Sequence, residues 1–154
     1  MISRLLGPAL LTLIAFAPAE GPGALTPVTL GCEGMADPLG VDSTPPRLSW
    51  QLRGEGRGLR QRAWQVLVAS SAESLSHDQA DVWDSGRVES DEQLHVPYGG
   101  RALRSSERVF WKVRVWDGDG RASAWSADAT WTMGLLDRGD WRAQIGRASC
   151  RERV

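Results

Sequence analysis

An acidic, glycine-rich stretch, Asp117-Gly118-Asp119-Gly120, has residue types that could bind a calcium ion. A calcium loop of the EF-hand type needs oxygen ligands at its first, third and fifth positions, glycine at the sixth and glutamate at the twelfth. Counted from Asp117, the fifth position is Arg121 and the sixth is Ala122. The flanking segments alternate as strands do, whereas the motif requires helices. We therefore predict a turn between two strands, with glycine accepting positive φ, and no calcium site.

Carboxylates are the second group that could do chemistry, because two of them held at a fixed separation can cleave a glycosidic bond. Six acidic residues lie in segments that the pattern assigns to loops or short strands. They are Asp37, Asp42, Asp84, Glu89, Asp91 and Glu92. Asp and Glu in such positions are mostly solvated turn residues. No apolar segment adjoins any of them in a way that would raise a pKa, so we predict no catalytic residues.

Histidine and cysteine complete the search for reactive groups. His77 and His95 have neither the i, i+4 spacing nor the neighbouring cysteines of a metal site. No G-x-S-x-G motif provides a nucleophilic serine. Of the two cysteines, Cys150 lies in a tail that we set aside below, which leaves Cys32 without a partner for a disulfide. The sequence thus predicts no metal, no cofactor and no catalytic group.

Both ends of the 154-residue chain differ in character from its middle. Residues 1–19 carry one positive charge, then an apolar run too short to span a bilayer, then Ala-Pro-Ala, which together are typical of a signal peptide. Residues 20–27 read as a flexible leader rich in Gly and Pro. Residues 145–154, IGRASCRERV, resemble the translation of a sequencing adapter, so we expect the natural sequence in this chain to end at Gln144. We accordingly expect an exported protein, periplasmic or secreted.

The middle of the chain alternates with period two and contains no long helical stripe. Strands are expected at 28–33, 47–52, 63–70, 82–88, 93–97, 109–116 and 129–133, the last of them joined by SAWS (123–126). A loop is expected from Ala36 to Pro46, and a single helical turn within 71–81. Around seven short strands separated by turns indicate an all-β, antiparallel two-sheet sandwich of the fibronectin type III or immunoglobulin-like kind. We place this sandwich at 28–134, with the start of a linker at 135–144.

The strongest predicted strand assigns its side chains to two faces. Val109, Trp111, Val113 and Val115 alternate onto the core side, and Trp50 and Trp64 lie on apolar faces of other strands. The opposite face of the strand holds Phe110, Lys112, Arg114 and Trp116. We predict that Phe110 and Trp116 form a partly covered aromatic strip that contacts a neighbouring domain, or alternatively stacks on sugar rings.

Charge narrows the class of partner. The chain has 18 basic and 19 acidic residues, and four of the basic ones and one of the acidic ones lie in the two end segments. The remaining residues therefore carry a net charge of −4, because 14 basic residues face 18 acidic ones. A negative domain does not attract a phosphate backbone, so nucleic acid is not an expected partner.

Four stretches of the middle segment resemble one known module. They are CEGMADPLGVDSTPPRLSWQL, RQRAWQVLVASS, DVWDSGRVESDEQLHVPYGG and FWKVRVWDGDGRASAWS, followed near the end by WTMGLL and DWRA. In this order and spacing they are similar to the N-terminal fibronectin III-like module of bacterial α-L-rhamnosidases, glycoside hydrolase family 78. The resemblance implies a β-sandwich ahead of further sandwiches and a catalytic (α/α)6 barrel that hydrolyses terminal α-L-rhamnosides with inversion.

That resemblance gives no catalytic residue to this chain, because the family's acid and base lie in the barrel. It implies an inactive accessory domain whose partners are the neighbouring domains of the parent enzyme and, through the missing barrel, rhamnose-containing glycans. The alternative is a stand-alone carbohydrate-binding or adhesion module of fibronectin III type. The sequence also departs from the family where an aromatic often marks a tyrosine corner, since Val109 stands there, and we expect that hydroxyl contact to be missing.

Overall fold

The structure is a computed structural model that describes residues 25–55 and 57–141. The predicted signal peptide (1–19), most of the predicted leader (20–27) and the adapter-like tail (145–154) lie outside the described residues. Eight strands, one short α-helix and one 3-10 helix are found within them. The strands are β1 (Thr26–Cys32), β2 (Leu39–Val41), β3 (Arg47–Arg53), β4 (Gln61–Ala69), β5 (Trp83–Asp84), β6 (Val96–Pro97), β7 (Arg108–Asp117) and β8 (Ala129–Met133). The α-helix is α1 (Ala72–Ser76), and the 3-10 helix spans Arg138–Asp140.

The strands form two sheets, as the sandwich prediction requires. One sheet has the order β1-β3-β6 and the other the order β2-β8-β7-β4-β5. The longest ladder joins β4 to β7 in antiparallel register, with Val66 opposite Val113 and Val68 opposite Trp111. Pro97 lies in the edge strand β6, where its missing N–H costs the ladder least.

One strand corrects the prediction of a loop from Ala36 to Pro46. Within that segment the chain crosses from the three-stranded sheet to the five-stranded one and forms β2, which pairs with β8 in parallel. The sandwich is therefore mixed at this edge, not wholly antiparallel. The three residues of β2 are too few to show a period-two pattern, and only contacts with the distant β8 hold them in place.

The core lies between the sheets and is rich in tryptophan. The predicted core residues of β7, together with Trp50 and Trp64, are buried, which confirms the assignment of faces. Trp111 and Trp131 pack edge to face with ring centroids 6.3 Å apart, and Trp50 and Trp64 do so at 5.8 Å. Such edge-to-face pairs add stabilisation beyond the area that they bury.

The predicted helical turn is confirmed as α1. Ser71 caps it, because the Ser71 hydroxyl accepts a hydrogen bond of 3.1 Å from the amide of Ser74. Leu75 is buried between α1 and the five-stranded sheet, where it packs with Leu67 and Ala69 on the outer face of that sheet. Part of that outer face is thus covered by the chain itself. No helix among residues 25–55 and 57–141 is long and apolar enough to cross a membrane.

Candidate functional site

The six candidate carboxylates are all exposed. Those whose side chains accept hydrogen bonds, Asp84 and Asp37, hold local structure. Asp84, in β5, accepts hydrogen bonds from Gln65 Nε2 at 2.7 Å and from the amide of Gly86 at 2.8 Å. Asp37 accepts 2.7 Å from the amide of Thr130 and so fixes the segment that leads into β2. These bonds connect turns to strands, which is the common use of loop carboxylates.

A polar cleft of about 480 Å³ brings two of the candidates together. Glu89 and Asp91 line it together with Arg60 and Arg62. Glu89 is 64% exposed and forms a 2.7 Å ion pair with Arg87. An inverting glycosidase needs one protonated acid, whose pKa is raised by burial, next to one ionised base. Glu89 and Asp91 are both exposed, so neither has the burial that such an acid has.

The histidines and the cysteine are also separate from one another. His77 terminates α1 and His95 lies beside β6, where its amide donates 3.1 Å to the hydroxyl of Ser49. Cys32 is buried, and desolvation raises the pKa of its thiol to about 12, with Glu33 adding to the effect. A thiol with such a pKa is a weak nucleophile. Among the residues that the structure describes, no three His, Cys, Asp or Glu side chains are placed to hold a metal ion.

The acidic stretch 117–120 forms the predicted turn. The carbonyl of Asp117 accepts 3.0 Å from the amide of Gly120, which has φ of 80°. The carboxylate of Asp117 accepts 2.9 Å from the amides of both Asp119 and Arg121. Asp117 is buried, so its charge is directed at the turn backbone, not at solvent.

On the outer face of the five-stranded sheet, arginine side chains cover part of the predicted aromatic strip. Trp116 is only 8% exposed, because the guanidinium groups of Arg87 and Arg114 each lie 4.9 Å from its ring centroid. Arg114 also lies 4.5 Å from the ring of Trp125. Phe110 is partly buried, with Arg108 at 5.4 Å. The prediction of a strip formed by Phe110 and Trp116 is therefore wrong for Trp116, whose ring is already covered by cations of this chain.

Lys112, on the same face, is buried and paired. Its Nζ donates 2.6 Å to the carbonyl of Leu75 and 2.5 Å to Asp78 Oδ1, and lies 5.2 Å from the ring of Trp125. Sequence reasoning missed this ladder of alternating cations and aromatics. The sequence does show the alternation of Lys112, Arg114 and Trp116 along β7. Trp125 reaches the same face only because the segment after the 117–120 turn runs beside β7.

The sequence pattern predicts that the following segment, SAWS (123–126), joins the last strand. Instead it runs beside β7, and two serine hydroxyls take part in the pairing: Ser126 Oγ accepts 3.1 Å from the amide of Val113, and Ser123 Oγ accepts 3.0 Å from the amide of Val115. The strand β8 begins afterwards, at Ala129. Serine side chains thus replace part of a backbone ladder.

A tyrosine contact is present, although not at the family's usual position. Val109 is buried in the core and has no hydroxyl that could form the tyrosine-corner contact. The hydroxyl of Tyr98 donates 2.9 Å to the carbonyl of Arg101, and burial raises the pKa of that hydroxyl. Arg101 also pairs with Glu107 at 2.6 Å, and its hydrogen bond lowers the pKa of Glu107. Sequence reasoning did not find this substitute.

Comparison with known proteins relates this fold to one family. The family described as "Rha78A-like, N-terminal immunoglobulin domain" matches residues 27–137. An α-L-rhamnosidase of Streptomyces avermitilis is 53% identical over 107 residues, which cover 70% of this chain and 10% of that protein. An α-L-rhamnosidase of Formosa agariphila is 42% identical over 106 residues, covering 69% of this chain and 11% of that protein.

Solved structures agree with the sequence matches. The crystal structure of the Streptomyces avermitilis α-L-rhamnosidase complexed with L-rhamnose superposes with a TM-score of 0.75 and 50% identity, covering 79% of this chain and 12% of that one. The α-L-rhamnosidase from Dictyoglumus thermophilum gives a TM-score of 0.74 and 41% identity, covering 77% of this chain and 13% of that one.

The match extends across both sheets, from β1 to the residues after β8. The chain spans about a tenth of the length of the curated relatives that it matches. This chain belongs to the family of Rha78A-like N-terminal immunoglobulin domains, a small part of α-L-rhamnosidases.

Proposed function

We propose that this chain is the N-terminal accessory β-sandwich of an exported α-L-rhamnosidase that hydrolyses terminal α-L-rhamnosides with inversion. The observation that carries the proposal is the family match over 27–137, in a chain that spans only about a tenth of its curated relatives. The parent enzyme's catalytic acid and base belong to the barrel, and rhamnose-containing glycans are partners through that barrel alone.

The accessory role is supported by what the described residues can do. Tryptophan and valine side chains fill the space between the sheets, where a buried catalytic pair would have to lie. The cleft that holds Glu89 and Asp91 is open to solvent and is also lined by Arg60 and Arg62. In this role the sandwich stabilises and positions the adjoining domains through contacts with them. Interfaces between domains of one chain commonly bury about 600–1,500 Å².

The division of the chain belongs to the same proposal. Residues 1–19 direct export and are removed, 20–27 form a leader, 28–134 form the sandwich, and 135–144 begin the linker to the next domain. Residues 145–154 are a non-native tail.

Two measurements test the proposal. Sequencing of the gene beyond the codon for Gln144 should reveal several hundred further codons, on the order of the relatives' remaining length, in the same frame. Purified residues 20–144 should release no rhamnose from an aryl α-L-rhamnoside, while the protein encoded by the extended gene should do so.

Either of two results would refute this assignment. A natural stop codon within a few residues of Gln144 would favour the stand-alone carbohydrate-binding or adhesion module instead. Turnover by the fragment well above background, abolished by Asp84→Asn, Glu89→Gln or Asp91→Asn, would show that the sandwich itself is catalytic.

A further inference from the structure

A small cavity lies between the segment that precedes β3 and the segment that precedes β7. It has a volume of about 260 Å³, and residues 44–46, residues 100–103, Tyr98 and Met133 line it. Sites for drug-sized ligands usually have volumes of about 300–1,000 Å³. This cavity therefore suits a ligand of one small ring, with no space for an oligomer.

Hydrogen bonds of Tyr98 hold the two walls of the cavity together. The amide of Tyr98 donates 2.9 Å to the carbonyl of Pro46, and the hydroxyl of Tyr98 donates 2.9 Å to the carbonyl of Arg101. A side chain on Gly100 would overlap the hydroxyl of Tyr98, so only glycine permits this close approach. The cavity is thus fixed by the fold before any ligand enters it.

The lining divides into an apolar part and a polar part. Four lining residues, Pro46, Tyr98, Leu103 and Met133, are buried, and we call them the floor. The hydroxyl of Tyr98 is already bonded to a backbone carbonyl, so the floor offers hydrocarbon and sulfur to a ligand. A methyl group is favoured there, whereas a hydroxyl would lose its hydrogen bonds to water without replacement.

The polar part is the rim, where Thr44 and Arg101 are exposed. The guanidinium of Arg101 donates to Glu107 at 2.6 and 3.2 Å and to the carbonyl of Ala102 at 3.2 Å, which fixes its orientation. Among the described residues, neither Nε of Arg101 nor the hydroxyl of Thr44 has a hydrogen-bond partner. Both groups can bond to hydroxyls of a ligand, because one is a donor and the other is a donor and an acceptor.

A 6-deoxyhexose has the matching chemistry. It is a single ring with one methyl group at one end and hydroxyls around the remainder. L-rhamnose is such a sugar, and it is the product that an α-L-rhamnosidase releases. The rest of a glycan has no space in a cavity of about 260 Å³, so the free sugar fits better than a terminal residue of a glycan.

We infer that this cavity is a binding site for one free 6-deoxyhexose, with the methyl group on the floor and the hydroxyls at the rim. The inference rests on the proposed function, because the parent reaction supplies the sugar. It goes beyond that function, since the sandwich then holds the released product at a site that performs no hydrolysis. The glycans themselves remain substrates of the barrel.

The test titrates the 154-residue chain with L-rhamnose and follows its amide resonances by NMR. The amides of residues 98–103 should shift with a dissociation constant on the order of 1 mM, because so small a ligand makes few contacts. L-mannose is the matched control ligand, since it differs from L-rhamnose only by a hydroxyl on the methyl carbon. It should bind on the order of tenfold more weakly, because that hydroxyl would lie unpaired on the floor. An aryl α-L-rhamnoside should also bind more weakly.

A matched pair of variants locates the site. Ala102 is exposed at the rim, so Ala102→Trp should block the cavity and weaken L-rhamnose binding on the order of tenfold or more. Ala124→Trp is the control, because Ala124 is an exposed alanine that does not line the cavity. It should bind L-rhamnose as wild type does. Both variants should keep the wild-type thermal midpoint, since each substitution is on the surface.

Three results would overturn the inference. They are no saturable shift up to about 100 mM L-rhamnose, equal affinity for L-rhamnose and L-mannose, and equal binding by Ala102→Trp and wild type. An aryl α-L-rhamnoside that binds as tightly as L-rhamnose would make a terminal glycan residue the occupant, and would overturn the inference as stated. All of these results leave the proposed function intact, because the codons after Gln144 and the hydrolysis assay test it separately.

Discussion

The indole Nε1 of Trp50 donates a buried hydrogen bond of 3.0 Å to Oε1 of Gln61 and so joins the two sheets. Trp50 lies in β3 and Gln61 begins β4, which belongs to the other sheet. The amide nitrogen of Gln61 donates in turn to the carbonyls of Ser90 and Glu92, at 3.2 and 2.8 Å. One buried amide thus satisfies a core tryptophan and two loop carbonyls.

Replacement of this amide should destabilise the sandwich. In Gln61→Leu the indole N–H and two carbonyls lose their partner, and an unsatisfied buried polar group costs about 1–3 kcal/mol. Gln51→Leu is the control, because Gln51 is exposed on β3. Urea denaturation should show a lower midpoint for Gln61→Leu alone. Equal midpoints for both variants would mean that the hydrogen bond contributes nothing to stability.

The core assignment predicts larger losses. Trp50→Ala and Trp111→Ala should each lower the free energy of unfolding by about 3–5 kcal/mol, because each deletes a fully buried indole. Trp141→Ala should change it by no more than about 0.5 kcal/mol, since that ring is exposed. Denaturant titration followed by circular dichroism measures all three. A midpoint that neither core substitution moves would contradict the assignment of faces.

The Glu33–Arg47 pair predicts part of the acid sensitivity. Hydrogen bonds from the side chain of Arg47 lower the pKa of Glu33 below its ordinary value of 4.5. A carboxyl whose pKa is lower in the folded state stabilises the fold above the unfolded pKa, and this contribution is lost as the pH falls through the folded pKa. Stability measured from pH 7 downward should therefore fall less steeply below about 4.5 in Glu33→Gln than in wild type.

Glu55→Gln serves as the comparison for that experiment, because Glu55 is an exposed residue in a turn. Its stability should follow the wild-type curve. An identical slope for Glu33→Gln and wild type would show that the ion pair does not contribute to acid unfolding.

Cys32 should resist alkylation while the sandwich is folded. The thiol is buried, and its pKa of about 12 leaves almost no thiolate near pH 8. Iodoacetamide should modify Cys32 only after denaturant is added, as measured by peptide mass mapping that separates it from Cys150. Rapid modification of Cys32 in the native protein would require an opening that this fold does not show.

The turn at 117–120 should not bind calcium. Two backbone amides already bond to the carboxylate of Asp117, and Arg121 occupies the position where a further oxygen ligand is needed. Titration calorimetry of the 154-residue chain should show no saturable heat at calcium concentrations up to about 10⁻⁴ M. A saturable site that Asp117→Ala removes would contradict the turn interpretation.

Residue types and their spacing identify candidate residues, but they do not show whether these residues form one site. The sequence supplied six carboxylates and two histidines with no spacing that joined them, and the structure places them at separate turns and one open cleft. Spacing along the chain tests only local motifs such as the calcium loop. Whether Glu89 and Asp91 meet Arg60 or a substrate pocket depends on how β4 and the β5–β6 loop pack together.

The sequence by itself determined the strands with long period-two alternation and the residues that they bury. In β7 the side of Trp111 and Val113 is apolar and the side of Arg114 is not, so burial of one face could be read directly. The Asp-Gly turn after β7 was equally local, because glycine tolerates the positive φ of Gly120.

Only the tertiary structure decided what covers the outer face and where the short elements pair. Trp116 is on the outward side of β7, yet Arg87 and Arg114 bury it, since a period-two pattern assigns a face without stating what lies upon it. The parallel pairing of β2 with β8 and the bond from Trp50 to Gln61 likewise join segments that are distant in sequence. Such contacts depend on the packing of the whole chain, which no local pattern encodes.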